Sequence, residues 1–158
     1  MRFLEARARS EAEVRRRLTS AGYRPDLVDG AVVRLAELGI LDDEQFARAW
    51  VESRDRARPR GERALRRELA LKGVDRAVSD EVLEDRREAG EGVEVDLEAA
   101  RRLLARNARS LARVADPRVR RQRAYALLAR SGFDPDTCRQ ASAELVAPAE
   151  DLADLNSE

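Results

Sequence analysis

The chain has no histidine, one cysteine and one lysine (Lys72) among 158 residues, and only 4% of it is aromatic. Without histidine, the commonest general base and a principal zinc ligand are both missing. A single cysteine, Cys138, excludes an intrachain disulfide and any Cys-rich metal site, and reads as a small core residue on the last helix. No run of about 20 apolar residues suits a membrane span and no secretory leader pattern is visible, so the chain reads as cytoplasmic with no membrane partner. There is no G-x-x-x-x-G-K-[ST] loop, and Gly90-x-Gly92 lacks the strand and helix of a dinucleotide site. Asp42-Asp43 is the pair most like a metal site, but it stands at a helix start, where capping accounts for it. The residues therefore assign no catalytic, cofactor or metal site, and the chain is not expected to be an enzyme.

What the sequence does have is charge. Charged residues are 39% of the chain against 43% hydrophobic, with 31 basic and 31 acidic side chains. The signs are segregated. Between Arg54 and Lys72 stand Arg54, Arg56, Arg58, Arg60, Arg63, Arg66, Arg67 and Lys72 against Asp55, Glu62 and Glu68. Between Arg101 and Arg123 the only acid is Asp116, while the stretch Asp80 to Glu98 and the residues after Pro148 are acidic.

A pattern also repeats: Leu18-x-x-x-Gly22-Tyr23, Leu69-x-x-x-Gly73-Val74 and Leu128-x-x-x-Gly132-Phe133. Glycine suits a left-handed residue closing a helix, and Pro25 and Pro135 suit the first position of the helix that follows. The glycines are 51 and 59 residues apart, too far for a helix pair, so each unit should hold three short helices. The expected fold is all-α, an elongated tandem array of three three-helix modules. Residues 1–39 form module one, 40–87 module two, 88–95 an acidic linker, 96–147 module three and 148–158 an acidic flexible tail. In module one Phe3 and Leu4 open a first helix, Ser10 and Glu13 form a capping box, Val14, Leu18 and Ala21 are buried, and Gly30 marks close helix packing. In module two Trp50 falls in the core, and Arg54 to Gly61 form a basic break.

Arg60, Arg63 and Arg67 recur at three- and four-residue spacing, so they share a helix side from which Leu65 and Leu69 point away. Arg54, Arg58, Arg66 and Lys72 extend this basic surface, and Arg120, Arg121 and Arg123 form a second patch. Such stripes suit phosphates or an acidic protein groove.

The chain resembles the RecX family of RecA regulators. The resemblance is carried by Arg9-Ser10-x-x-Glu13-Val14, by Leu35-x-x-Leu38-Gly39-Ile40-Leu41-Asp42-Asp43-x-x-Phe46-Ala47 and by Trp50-Val51-x-Ser53-Arg54. It continues through Gly61 and Glu68-Leu69-x-x-Lys72-Gly73-Val74. Ile40 departs from the aromatic residue common in the family. The resemblance implies tandem three-helix units, no cofactor, and a protein that binds the RecA filament on DNA and inhibits its ATPase, strand-exchange and coprotease activities. Weak binding to single- or double-stranded DNA and a monomeric state are also expected. A DNA-binding module of helix-turn-helix type and a protein-only helical scaffold are the alternatives the residues leave open.

Overall fold

The computed structural model describes residues 8–90 and 94–145. Among the described residues the regular structure is all helical: α1 Glu11–Ser20, α2 Pro25–Glu37, α3 Asp43–Ala57, α4 Glu62–Lys72, α5 Arg76–Glu88, α6 Val95–Arg106, α7 Ala108–Ala112, α8 Pro117–Arg130 and α9 Pro135–Glu144. The helix expected around Phe3 and Leu4, the middle of the expected linker and the tail lie outside the described residues. Two helices differ from expectation. The α3 helix continues past Arg54 to Ala57, and the third module carries a fourth helix, α7. The Asn107 side-chain amide donates to the Leu103 carbonyl (2.8 Å), turning back at the end of α6 before α7 begins.

The glycine turns share one hydrogen-bond pattern. Gly22, Gly73 and Gly132 have φ of 88°, 81° and 88°. In each, the N–H of the apolar residue after glycine donates to the carbonyl of the leucine four before it: Tyr23 to Leu18 (3.3 Å), Val74 to Leu69 (3.1 Å) and Phe133 to Leu128 (3.3 Å). This is the six-to-one bond of a Schellman closure, so the Leu-x-x-x-Gly-apolar spacing is the backbone geometry itself. Gly39 (φ 65°) repeats it, with Ile40 N–H on the Leu35 carbonyl at 2.9 Å. The next helices begin as their sequences require. Asp75 accepts from Ala77 N–H (2.8 Å), Asp134 accepts from Asp136 and Thr137 N–H (2.9 and 3.0 Å), and Pro25, Pro117 and Pro135 occupy first-turn positions.

The buried apolar residues form three separate clusters. Val14, Val32 and Leu41 form the first, with Leu18 and Leu35 partly covered beside them. Phe46, Val51, Leu65, Leu69 and Leu83 anchor the second, and Leu97, Leu104, Leu128, Phe133 and Cys138 the third. Leu69 and Leu128 are fully buried, whereas Leu18 is only half-buried and Ala21, expected in the same stripe, is exposed. Gly30 is exposed too, and a Cβ there would meet no neighbour, so it does not mark close packing. A doubly hydrogen-bonded ion pair ties α5 to α3: Arg86, its side chain 8% exposed, donates to Asp55 at 2.8 and 2.9 Å.

The chain divides into two compact units, Met1–Arg56 with Leu65–Ala89, and Ala57–Ala64 with Gly90–Glu158. Each contains a helix junction of the same construction. In the first, the buried Ser10 Oγ accepts from Glu13 N–H (3.2 Å) and donates to the Lys72 carbonyl (2.6 Å), while Asp43 accepts from Glu11 N–H (2.8 Å). Burial raises the Asp43 carboxyl above its ordinary value, and that hydrogen bond opposes the shift. In the second, Gly61 N–H donates to the Ser131 carbonyl (3.1 Å) and Asp96 accepts from Glu62 N–H (2.9 Å). In both, a donor at a helix start reaches the carbonyl just before the turn glycine, and an aspartate from another helix caps that start. The glycine itself lies against an alanine: a Cβ on Gly73 would overlap Ala12, and one on Gly132 would overlap Ala64. Gly22 has no such neighbour.

Substitution to alanine should separate these roles. Gly22→Ala is expected to cost about 1–2 kcal/mol, the left-handed backbone term alone, whereas Gly73→Ala and Gly132→Ala add overlap and cost more. Leu69→Ala and Leu128→Ala should each cost about 2–5 kcal/mol, and Leu18→Ala clearly less. Urea denaturation of the six variants checks the order, and equal costs at the three glycines would remove the close-approach argument.

Candidate functional site

The basic side chains fall into two groups according to what the fold does with them. Arg54 and Lys72 belong to a cluster around Trp50 in the first unit. Trp50 is half-buried and stacks on Phe46 (6.0 Å between centroids, 28° between planes). Its indole Nε1 donates to Glu68 Oε2 (2.9 Å), which also accepts from Arg54 Nε (2.6 Å). The Arg54 guanidinium lies 4.4 Å and the Lys72 ammonium 4.8 Å from the Trp50 ring centroid. Lys72 Nζ also donates to Glu13 Oε1 (2.7 Å). The expected capping box is thus half made: Ser10 caps Glu13, while the Glu13 carboxylate serves Lys72.

Arg66 pairs with Asp80, and Arg60 is half-buried with partners of its own. Arg120 turns back on the chain, donating through Nε to the Val114 carbonyl (3.1 Å) and through Nη2 to the Ala115 carbonyl (3.4 Å). Arg54, Arg66, Lys72 and Arg120 therefore have intramolecular duties as cross-links, because carboxylates or open carbonyls from other segments lie within their reach.

Arg58, Arg63, Arg67, Arg121 and Arg123 remain exposed. Arg63 and Arg67 are four residues apart on α4, while Leu65 and Leu69 of the same helix are fully buried, as the spacing requires. Arg121 and Arg123 do not share a face of α8. Two residues along a helix is a rotation of about 200°, and each lines a different groove. Arg121 lies with Gln122, Tyr125 and Arg139. Arg123 lies with Arg130, Asn107 and Ser110 above Leu111 and Leu127, in an open groove of ≈ 430 Å³. Arg130, Asn107 and Ser110 are absent from the sequence-based set. The seven-residue spacing from Arg123 to Arg130, two helical turns, was the available signal.

The cysteine and the paired aspartates singled out in the sequence serve the fold. Cys138 is fully buried, its Sγ 3.7 Å from the Phe133 carbonyl, and burial pushes its thiol up from the ordinary range, so it is a poor nucleophile. Asp42 caps its own helix, accepting from Gln45 N–H (2.9 Å), and Asp43 caps α1. Among the described residues no group of three or more His, Cys, Asp or Glu side chains is placed to hold a metal ion, and no helix is long and apolar enough to cross a membrane.

Family models match the chain three times: the first three-helix domain of RecX over residues 1–35, the second over 42–83 and the third over 94–141. The chain is 36% identical over 151 residues to the regulatory protein RecX of Mycobacterium avium, covering 95% of this chain and 84% of that protein. It is 38% identical over 152 residues to the regulatory protein RecX of Mycobacterium leprae, covering 95% and 85%. The crystal structure of RecX from Lactobacillus salivarius superposes with a TM-score of 0.74 over 91% of this chain and 90% of that one. At 19% identity this is a likeness of fold.

The division of the cations has a measurable consequence. Arg54→Ala and Lys72→Ala should each destabilise the protein by about 1–3 kcal/mol, because each takes a charged donor from a partly buried carboxylate and a cation from the face of Trp50. Arg58→Ala, Arg63→Ala and Arg67→Ala should stay within about 0.5 kcal/mol. Emission from Trp50, the only tryptophan, reports the first pair directly during denaturation, and a shift of that emission on Arg67→Ala would contradict the assignment.

Proposed function

The chain belongs to the RecX family, and from that premise we propose that it binds the RecA filament assembled on single-stranded DNA. There it restrains ATP hydrolysis, strand exchange and coprotease activity, and so modulates recombinational DNA repair. The observation that carries this reading is the set of exposed arginines that the fold does not use, Arg58, Arg63, Arg67, Arg121 and Arg123, on a chain matched by all three domains of a regulatory family. A guanidinium kept in water by a rigid helix is pre-organised for phosphate or carboxylate. Contacts from several domains add through effective concentration, so each can be weak.

Inhibition on this reading is regulatory. The protein favours one filament geometry by binding it better than another, and it does not occupy the ATP site. The chain alone is not expected to hydrolyse ATP, since no phosphate-binding loop exists in its sequence.

Titration into preformed RecA filaments, with ATP hydrolysis as the readout, tests the proposal. ATPase should fall at near-stoichiometric or lower ratios, and Arg63→Glu with Arg67→Glu should weaken that effect while the protein stays folded by circular dichroism. Inhibition should also weaken as salt rises. Tight sequence-specific duplex binding with no effect on the filament would support a helix-turn-helix regulator instead. Binding to neither would support a protein-only scaffold.

A further inference from the structure

The groove between α7 and the C-terminal half of α8 differs in chemistry from the rest of the surface. Arg123 and Arg130 stand seven residues apart on one side of α8, about 10 Å along its axis. Both are exposed, and no carboxylate lines the groove with them. The Ser110 hydroxyl adds a donor, and Asn107, which gives one amide hydrogen to the Leu103 carbonyl, keeps a second. The floor is apolar, with Leu111 buried and Leu127 partly so.

The surroundings reinforce the sign. From Leu97 to Gly132 the chain has ten arginines and two acids. Both acids are engaged: Glu98 pairs with Arg101, and Asp116 caps α8, accepting from Arg118 N–H at 2.8 Å. The groove therefore carries two cations with no carboxylate among its lining residues, on a segment rich in arginine.

We propose that this groove binds the phosphodiester backbone of single-stranded nucleic acid. Two guanidinium forks separated by two helical turns fit an extended polyanion with repeated charges better than a lone anion, and planar forks match phosphate oxygens. The hydroxyl and amide supply further donors, while the apolar floor accepts the sugar edge or a base face. The choice of a nucleic-acid strand over an acidic peptide rests on the filament reading given above, in which single-stranded DNA is part of the partner. Failure of one does not entail failure of the other, because strand binding is measured without RecA.

Fluorescence anisotropy with a labelled oligothymidylate tests the assignment on the full chain. Arg123→Glu with Arg130→Glu should lower affinity at least tenfold. The milder pair Arg123→Gln with Arg130→Gln should make the slope of log affinity against log salt shallower by about 1.4, the value for two phosphates of a single strand. Arg102→Glu with Arg118→Glu, exposed arginines of the same unit outside the groove, makes the same change in net charge and should cost much less. Equal losses for the two reversal pairs would show a diffuse field and overturn the groove. Unchanged oligothymidylate affinity in the folded Gln pair would do so too, as would an equal or larger loss for a poly-glutamate peptide, which would assign the groove to acidic protein. Loss of oligothymidylate binding with filament inhibition intact would uphold the groove and place the RecA contact elsewhere. Strand binding that is lost in the groove pair but not in the control pair, in a protein without any filament effect, would uphold the groove and defeat the proposed function.

Discussion

A left-handed residue with no side chain is the constraint on which the packing depends. At Gly73 and Gly132 the backbone must take positive φ, and it must do so against another helix, where Ala12 or Ala64 fills the space a Cβ would need. Only glycine meets both demands without strain. The turn brings the carbonyl of the preceding residue, Lys72 or Ser131, within reach of a donor at the start of a neighbouring helix, and an aspartate completes that helix's cap. The helix ends are thereby satisfied by tertiary contacts as well as local ones. The start of α8 lacks this fit. Its second and third residues are Arg118 and Val119 rather than alanine, both are exposed, and its cap comes from its own Asp116.

The equality of 31 basic and 31 acidic residues conceals how differently the charges are used. Arg86 on Asp55, and Arg54 and Lys72 around Trp50, are covered side chains that bridge helices. Removing one partner of such a pair costs more than the pair contributes, because the other charge is left desolvated. On the surface of α4 and α8, Arg63, Arg67, Arg123 and Arg130 keep their hydration, so an incoming anion need not first break an internal pair. Regulatory binding by several modest contacts is consistent with that economy, since exposed ionic contacts are individually small and screened by salt.

The sequence by itself determined the helical class, the glycine closures and the caps, because these are local. Leu-x-x-x-Gly-apolar encodes a six-residue hydrogen bond, proline after a cap suits a first turn, and three-to-four spacing puts Leu65 and Leu69 inside while Arg63 and Arg67 stay out. Only the tertiary structure decided which arginines are available. The duties of Arg54, Arg66, Lys72 and Arg120 depend on Glu68, Asp80, Glu13 and the Val114 and Ala115 carbonyls, whose approach no periodicity reports. It likewise brought Asn107 and Ser110 beside Arg123 and Arg130, and gave Asp43 to the helix of Glu11. Local geometry is written in neighbouring residues, whereas the fate of a long charged side chain is settled by whichever partner the fold brings within hydrogen-bond reach.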